Sequence, residues 1–133
     1  MLSRASLARP RKRNAPRPAE KSARGFLQWL RGRECAVAGC RRGPVEAAHV
    51  DHGGDKGTGT KVSDRFAIPL CGGLLGHHPQ QHRIGWQAFQ EMHAFDALTL
   101  AAAYWQAWPG RVAWERKLNV EDVPELETKV RPK

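Results

Sequence analysis

Several features that would send a chain to a membrane or out of the cell are missing. No apolar run approaches the roughly 20 residues needed to span a bilayer. The N-terminus is charged but lacks the apolar stretch of a secretory signal. There are only three cysteines, an odd number that cannot close a complete disulfide framework. Grouped with histidines, they point to a reducing compartment and to metal binding, and the expected location is the cytoplasm. A nucleotide-triphosphate loop is also missing. The stretch 51–61 holds four glycines in eleven residues, but Thr60 stands where the motif needs its lysine, Val62 follows Lys61, and no helical pattern begins there. Acidic side chains are scarce, 13 against 22 lysines and arginines, for a net charge of +9.

What is present fits one small domain with tails. The chain has 133 residues and is rich in Gly, Pro and Arg. A core of that size often needs a staple such as a structural metal. The positive charge is not spread evenly. Residues 1–24 carry eight basic side chains and one acidic; residues 25–110 carry eight and seven; residues 111–133 carry six and five. The excess therefore sits in residues 1–24, where Arg11, Lys12 and Arg13 lie among Pro10, Pro16 and Pro18. This composition predicts a disordered basic arm. A basic arm is an electrostatic footprint for a polyanion, most often nucleic acid. The expected division is a tail over 1–24, a folded domain over 25–110, and a C-terminal helix and tail over 111–133.

Along the folded part, Phe26, Leu27, Trp29 and Leu30 have near-helical spacing. Cys35 and Cys40 follow, four residues apart with Gly39 between them, as in a zinc knuckle. Val45 to Val50 reads as a first strand with His49 near its end. After the glycine loop, Phe66 to Cys71 reads as a second strand, which Pro69 assigns to an edge or an irregular end. Lys56 and Lys61 in the loop are candidate phosphate contacts, as are Arg11, Lys12 and Arg13 in the arm. A helix is expected from about His78, with Pro79 in its first turn. On it His78 and His82 are i and i+4, stacked on one face, so both imidazoles can reach one metal ion. Trp86 and Phe89 read as core and His93 as structural. Asp96 is a good N-cap for a helix over Ala97 to Trp108, which Pro109-Gly110 ends. Residues 111–118 suggest one more short helix, with a loosely docked tail from Asn119.

Taken together, Cys35-x4-Cys40, Ala48-His49, the glycine loop, Lys61-x-x-Asp64, Pro69-Leu70-Cys71 and His77-His78-x-x-x-His82 resemble an HNH endonuclease of the ββα-metal class. The likeness is to the phage and prophage branch similar to the recombination-enhancement nucleases, and it covers roughly Phe26 to Trp108. It implies an α+β fold: a small zinc-stabilised ββα-metal core, His-Me finger or treble-clef-like, with flanking helices. It implies His49 as general base and Asp64 as its orienting partner or a member of the metal shell. It implies His78 and His82 as ligands of a catalytic Mg2+ or Mn2+. Cys35, Cys40, Cys71 and His77 would hold a structural Zn2+, with His77 and His78 open to exchange. DNA is the implied partner, and some relatives work with a recombinase filament, which makes that or another phage protein a candidate partner as well. Two features are this chain's own. Ala48 stands where many relatives carry an Asp or His ligand, and five residues separate Cys71 from His77 where two are common. His52 is the second choice for ligand or base.

Two other readings were weighed. A zinc-stabilised DNA-binding module without catalysis would share the scaffold, but has no need of His49, His78 and His82. A finger built from Cys35, Cys40, His78 and His82 would need a 37-residue spacer where about 12 is usual, and is rejected.

Overall fold

A computed structural model describes residues 16–52 and 61–122. The order is a short 3-10 turn (Ala19–Lys21), α1 (Arg24–Arg31), β1 (Val45–His49), β2 (Ala67–Cys71), α2 (His77–His93), α3 (Ala97–Ala107) and α4 (Arg111–Asp122). It is a mixed α+β domain built on one two-stranded sheet. Among the described residues no helix is long and apolar enough to cross a membrane.

The hairpin is antiparallel and pairs Val45 with Cys71, Ala47 with Pro69 and His49 with Ala67. Period-two alternation gives it two different faces. One carries Ala48, Val50, Ile68 and Leu70, which are buried with Trp86 and Phe89 of α2. The other carries Ala47 and Ala67, which pack with Phe26 and Leu30 of α1 and Trp105 of α3. The sheet is thus covered on both sides, and every residue of β2 is buried. Helix α3 contributes to both layers, with Ala97 and Ala101 in the first and Trp105 in the second.

Pro69 lies on an edge strand, as its chemistry suggested, because the sheet has two strands; the edge is buried rather than open. Its carbonyl accepts from Ala36 N–H at 2.8 Å on the side away from β1. A strand residue's N–H and C=O point to the same side, so the donor that proline lacks is one β1 never needed. The connection through Cys35 and Ala36 covers that side instead.

Helix α2 is bent at Gly85, whose φ of 86° and ψ of 159° are not helical. Only glycine takes that conformation at little cost. The first half carries His77, His78 and His82; the second turns Trp86 and Phe89 into the core. Asp96 caps α3 as expected, accepting from Thr99 N–H at 2.9 Å.

Two stretches differ from expectation. Residues 16–24, assigned to the disordered arm, take part in the fold. Ala23 N–H donates to the buried Asp64, Asp64 N–H donates to the Lys21 carbonyl, and Lys21 Nζ reaches the Lys61 carbonyl. The final helix runs to Asp122, past Asn119. Its Trp114 Nε1–H donates to the Ser22 carbonyl at 2.7 Å, tying this helix to the N-terminal segment.

Candidate functional site

Four side chains from three places converge at one end of the hairpin. Cys35 and Cys40 bracket the turn after α1, Cys71 is the last residue of β2, and His77 is the first of α2. Gly39, at φ 79°, allows that turn to close. The four ligand atoms all lie within 4.8 Å of one another. Cys40 Sγ is 3.8 Å from Cys71 Sγ, and His77 Nδ1 is 3.3 Å from Cys71 Sγ and 3.4 Å from Cys35 Sγ. With Zn–S near 2.3 Å and Zn–N near 2.1 Å, a tetrahedron has edges of about 3.5–3.8 Å. The spacing fits zinc, and so does the soft donor set.

The electrostatics agree. Burial pushes the Cys35 thiol up to about 11. At Cys40 burial also pushes upward, but hydrogen bonds from the Arg42 backbone and the neighbouring thiols outweigh it, and the net direction is down. Burial, then the charges of His93 and Arg42, lower His77 and favour the neutral imidazole that binds metal. Sulfurs packed this closely in a half-dry site gain most from a divalent cation. The exchange left open between His77 and His78 is resolved geometrically: His77 faces the sulfurs and His78 does not. His93 Nε2–H donates to Gln80 Oε1 over 2.8 Å, and its ring lies against that of His77, in keeping with a structural histidine.

His49 and Asp64 form a second group, on the α1 side of the hairpin. His49 Nε2 is 2.8 Å from Asp64 Oδ1. Asp64 is 3% exposed. Burial pushes its carboxyl up, but the His49 hydrogen bond, the Ala23 N–H and the charges of His49 and Arg17 more than reverse this. Asp64 is therefore a carboxylate, which accepts. Nε2 of His49 donates a proton to it, and whenever the ring is neutral that bond leaves the lone pair on Nδ1. Arg17 shares the same carboxylate oxygen at 3.3 Å.

His78 and His82 form a third group on the α2 side, their ring centroids 4.8 Å apart. Sequence reasoning missed the residue that organises it. Glu46 Oε1 lies 2.6 Å from His78 Nδ1. A carboxylate there fixes the proton on Nδ1 and leaves Nε2 free to bind a metal. Glu46 lies two residues before Ala48 on the same strand face, and Gly72 makes room for it, because a Cβ at Gly72 would strike the Glu46 carboxylate. The alternation of Glu46 with Ala48 was the available signal. Beside His82 an open cavity of about 440 Å3 is lined by Asp51, His52, Gln81 and Trp86 among others, which brings the second-choice His52 near this group.

His49 and the His78 group thus face opposite sides of β1, and no described hydrogen bond joins them. Among the described residues, Cys35, Cys40, Cys71 and His77 are the set of three or more metal-ligating side chains with all ligand atoms so close. Lys61 is described through its carbonyl, which accepts from Lys21. Lys56, Arg11, Lys12 and Arg13 lie outside the described residues.

Comparison with protein-family models, with curated proteins and with solved structures finds no match to this chain.

Proposed function

We propose that this chain is a metal-dependent HNH endonuclease that hydrolyses DNA phosphodiester bonds, on a ββα-metal scaffold of the phage and prophage kind. The observation that carries this reading lies outside the Cys3His group. Two further histidine sites each have one ring nitrogen committed to a carboxylate and the other left open, which a purely structural zinc module does not need. The chain order of hairpin and then helix α2, with His49 on the hairpin and His78 and His82 on the helix, supports the same reading.

In this mechanism Asp64 holds the His49 proton on Nε2, and His49 Nδ1 takes the proton of the attacking water. Asp64 then stabilises the imidazolium that forms. Glu46 orients His78 so that its Nε2, together with His82, is available for a divalent ion such as Mg2+ or Mn2+. That ion would supply charge stabilisation to the scissile phosphate and the leaving oxygen. Ala48 offers no donor, and Glu46 is the carboxylate this strand face provides in its place. Structural Zn2+ at Cys35, Cys40, Cys71 and His77 would brace the hairpin against α2. His49 closes β1, and the chain continues through Asp51 and His52 to border the cavity beside His82. The strand end is the stretch through which the two histidine sites would share a phosphate.

One observation favours a second reading. His49 and His78 each have a protein partner that satisfies them, and they lie on opposite strand faces. A zinc-stabilised DNA-binding module without catalysis would use both as structural hydrogen bonds. Plasmid cleavage with added Mg2+ or Mn2+ separates the two readings. Wild type should nick or linearise DNA, and His49→Ala should lose at least about a hundredfold in rate while keeping its zinc. Equal rates would remove His49 as the base, and loss in His52→Ala alone would move the role there. DNA binding without cleavage by wild type would leave the binding module.

A further inference from the structure

Among the described residues, the most exposed large hydrophobic side chains sit on one glycine-rich turn. Leu74 and Leu75 are 89% and 79% exposed. They are the two central residues of a turn closed by Gly76 N–H donating to the Gly73 carbonyl at 3.1 Å. The turn lies between two ligand positions, Cys71 and His77, and His77 N–H donates to Cys71 Sγ. Gly72 N–H anchors it to the Pro44 carbonyl at 2.7 Å. Gly73 has φ 85°, and a Cβ at Gly76 would strike the carbonyls of Cys71 and Gly72. Three glycines and four hydrogen-bonding or ligand positions thus hold the backbone in one shape. The two leucines are held out into water by a rigid mount, which gains nothing for the fold.

The surroundings indicate what the turn meets. It leads directly into the N-terminus of α2, the positive end of the helix dipole, and the first turn of that helix has no acidic residue. Arg41 and Arg42 are exposed beside Cys40. Arg42 is close enough to hydrogen-bond Cys40, and its charge reaches His77. Of the carboxylates nearby, Glu46 is engaged by His78 and Glu34 lies 3.7 Å from Arg41 in an exposed pair, which leaves Arg42 as the rim's unneutralised side chain. An apolar tip of two side chains within a positive rim is too small for a stable protein interface, which buries about 1,200 Å2 or more. It does match a wedge that enters between stacked bases while positive groups hold the flanking phosphates.

We propose that Leu74 and Leu75 are a DNA wedge, inserted from the minor-groove side to unstack a base step next to the phosphate held at His78 and His82. The proposal rests on the nuclease reading, since it takes duplex DNA as the ligand. The wedge would open and bend the duplex at the point of cleavage.

The test is duplex binding by the full chain without added Mg2+ or Mn2+, on DNA carrying 2-aminopurine at successive positions. Wild type should raise the fluorescence at one step. The Leu74→Ser/Leu75→Ser variant should lose that rise and bind about tenfold more weakly, with the same salt slope, because the phosphate contacts are unchanged. Its zinc content and thermal transition should equal wild type, since neither side chain is packed. Wild-type binding with an unchanged 2-aminopurine signal in the variant would overturn the wedge and leave the DNA reading standing. No duplex binding by wild type would overturn both. Leucine-dependent binding to phosphatidylserine–phosphatidylcholine vesicles in place of DNA would assign the tip to a membrane surface and overturn the wedge.

Discussion

The two faces of the hairpin are held by different chemistry. On the α2 side, the sheet end is fastened by a group of three sulfurs and one imidazole with the spacing of a zinc tetrahedron. On the α1 side, it is fastened by one buried carboxylate, Asp64, which takes the Ala23 N–H, the His49 imidazole and the Arg17 guanidinium. The first device gathers donors that repel or dehydrate one another unless a cation is present. The second is complete in itself, with its charges paired inside the protein. The α2 face therefore has a group that could take an ion from outside the chain, and the α1 face does not. One side of the small sheet is packed by aromatic rings around Phe26, and the other by rings plus a Cys3His group that could hold a metal.

Breaking the α2 face should have the largest effect. Structural zinc contributes about 10 kcal/mol or more to small zinc domains. Cys71 Sγ is central to its group, reaching Cys40 Sγ, His77 Nδ1 and the His77 N–H. Wild type should hold one zinc per chain by elemental analysis. Cys71→Ser should fall well below that and lose its cooperative thermal transition, and chelation of wild type should do the same. A Cys71→Ser protein that retains one tightly held zinc would remove the asymmetry between the faces.

The α1 face should break more gently. Asp64→Asn keeps an acceptor for one of its partners but loses the charge that Arg17 and His49 face, which costs about 1–3 kcal/mol. Zinc content should stay at the wild-type level. The pH dependence follows from the direction of the Asp64 shift. Its carboxyl is held below the ordinary 3.8. Its contribution is therefore present above 3.8 and is lost as pH falls through the folded-state value. The stability gap between wild type and Asp64→Asn should persist through the neutral range and close only in that acid window. Protonation of the sulfur ligands affects both proteins alike and cancels in the gap. A gap that closes already near neutral pH would mean that Asp64 is not the group being titrated.

The two faces also differ in how far the sequence revealed them. The Cys3His group was legible because cysteines are rare here and stand near histidines, although which histidine completes it was open between His77 and His78 until the geometry placed His77 among the sulfurs. The Asp96 cap and the start of α2, with Pro79 in its first turn, were legible because such signals are written in adjacent residues. The α1 face was not, because its fastening brings Arg17 and Ala23 to Asp64, the latter from 41 positions away. Periodicity reports local structure only, so residues 16–24 read as part of a basic arm when Asp64 in fact gathers them. Asp64 itself was recognised with two roles open, and the structure places its carboxylate against His49. The bend at Gly85 was hidden for another reason. A glycine within a helical pattern does not announce its sign of φ, and the bend exists because Trp86 and Phe89 must turn into the core. Glu46 went unnoticed because half-exposed acids on a strand are ordinary, and only its approach to His78 distinguishes it.

The smallest effect tests whether the α2 face contains a second device of the self-contained kind. Glu46 is about half exposed, with its side chain 49% accessible, so solvent screens its pairing with His78. Removing it should change stability by no more than about 0.5 kcal/mol. Its role would show in the imidazole instead. With Glu46 present, the His78 proton is held on Nδ1; in Glu46→Ala that acceptor is gone, and nitrogen-15 spectra should show the proton redistributed toward Nε2. The same change should weaken binding of a divalent ion at His78 and His82 by about tenfold or more, with the zinc group untouched. Gly72→Ala offers an independent route to the same state, because the added Cβ would displace the Glu46 carboxylate without altering its charge. Agreement between the two variants would show that the position of Glu46 matters, beyond its charge. If His78 keeps its proton on Nδ1 in both, Glu46 is a surface neighbour, and the α2 face is organised by the Cys3His group alone.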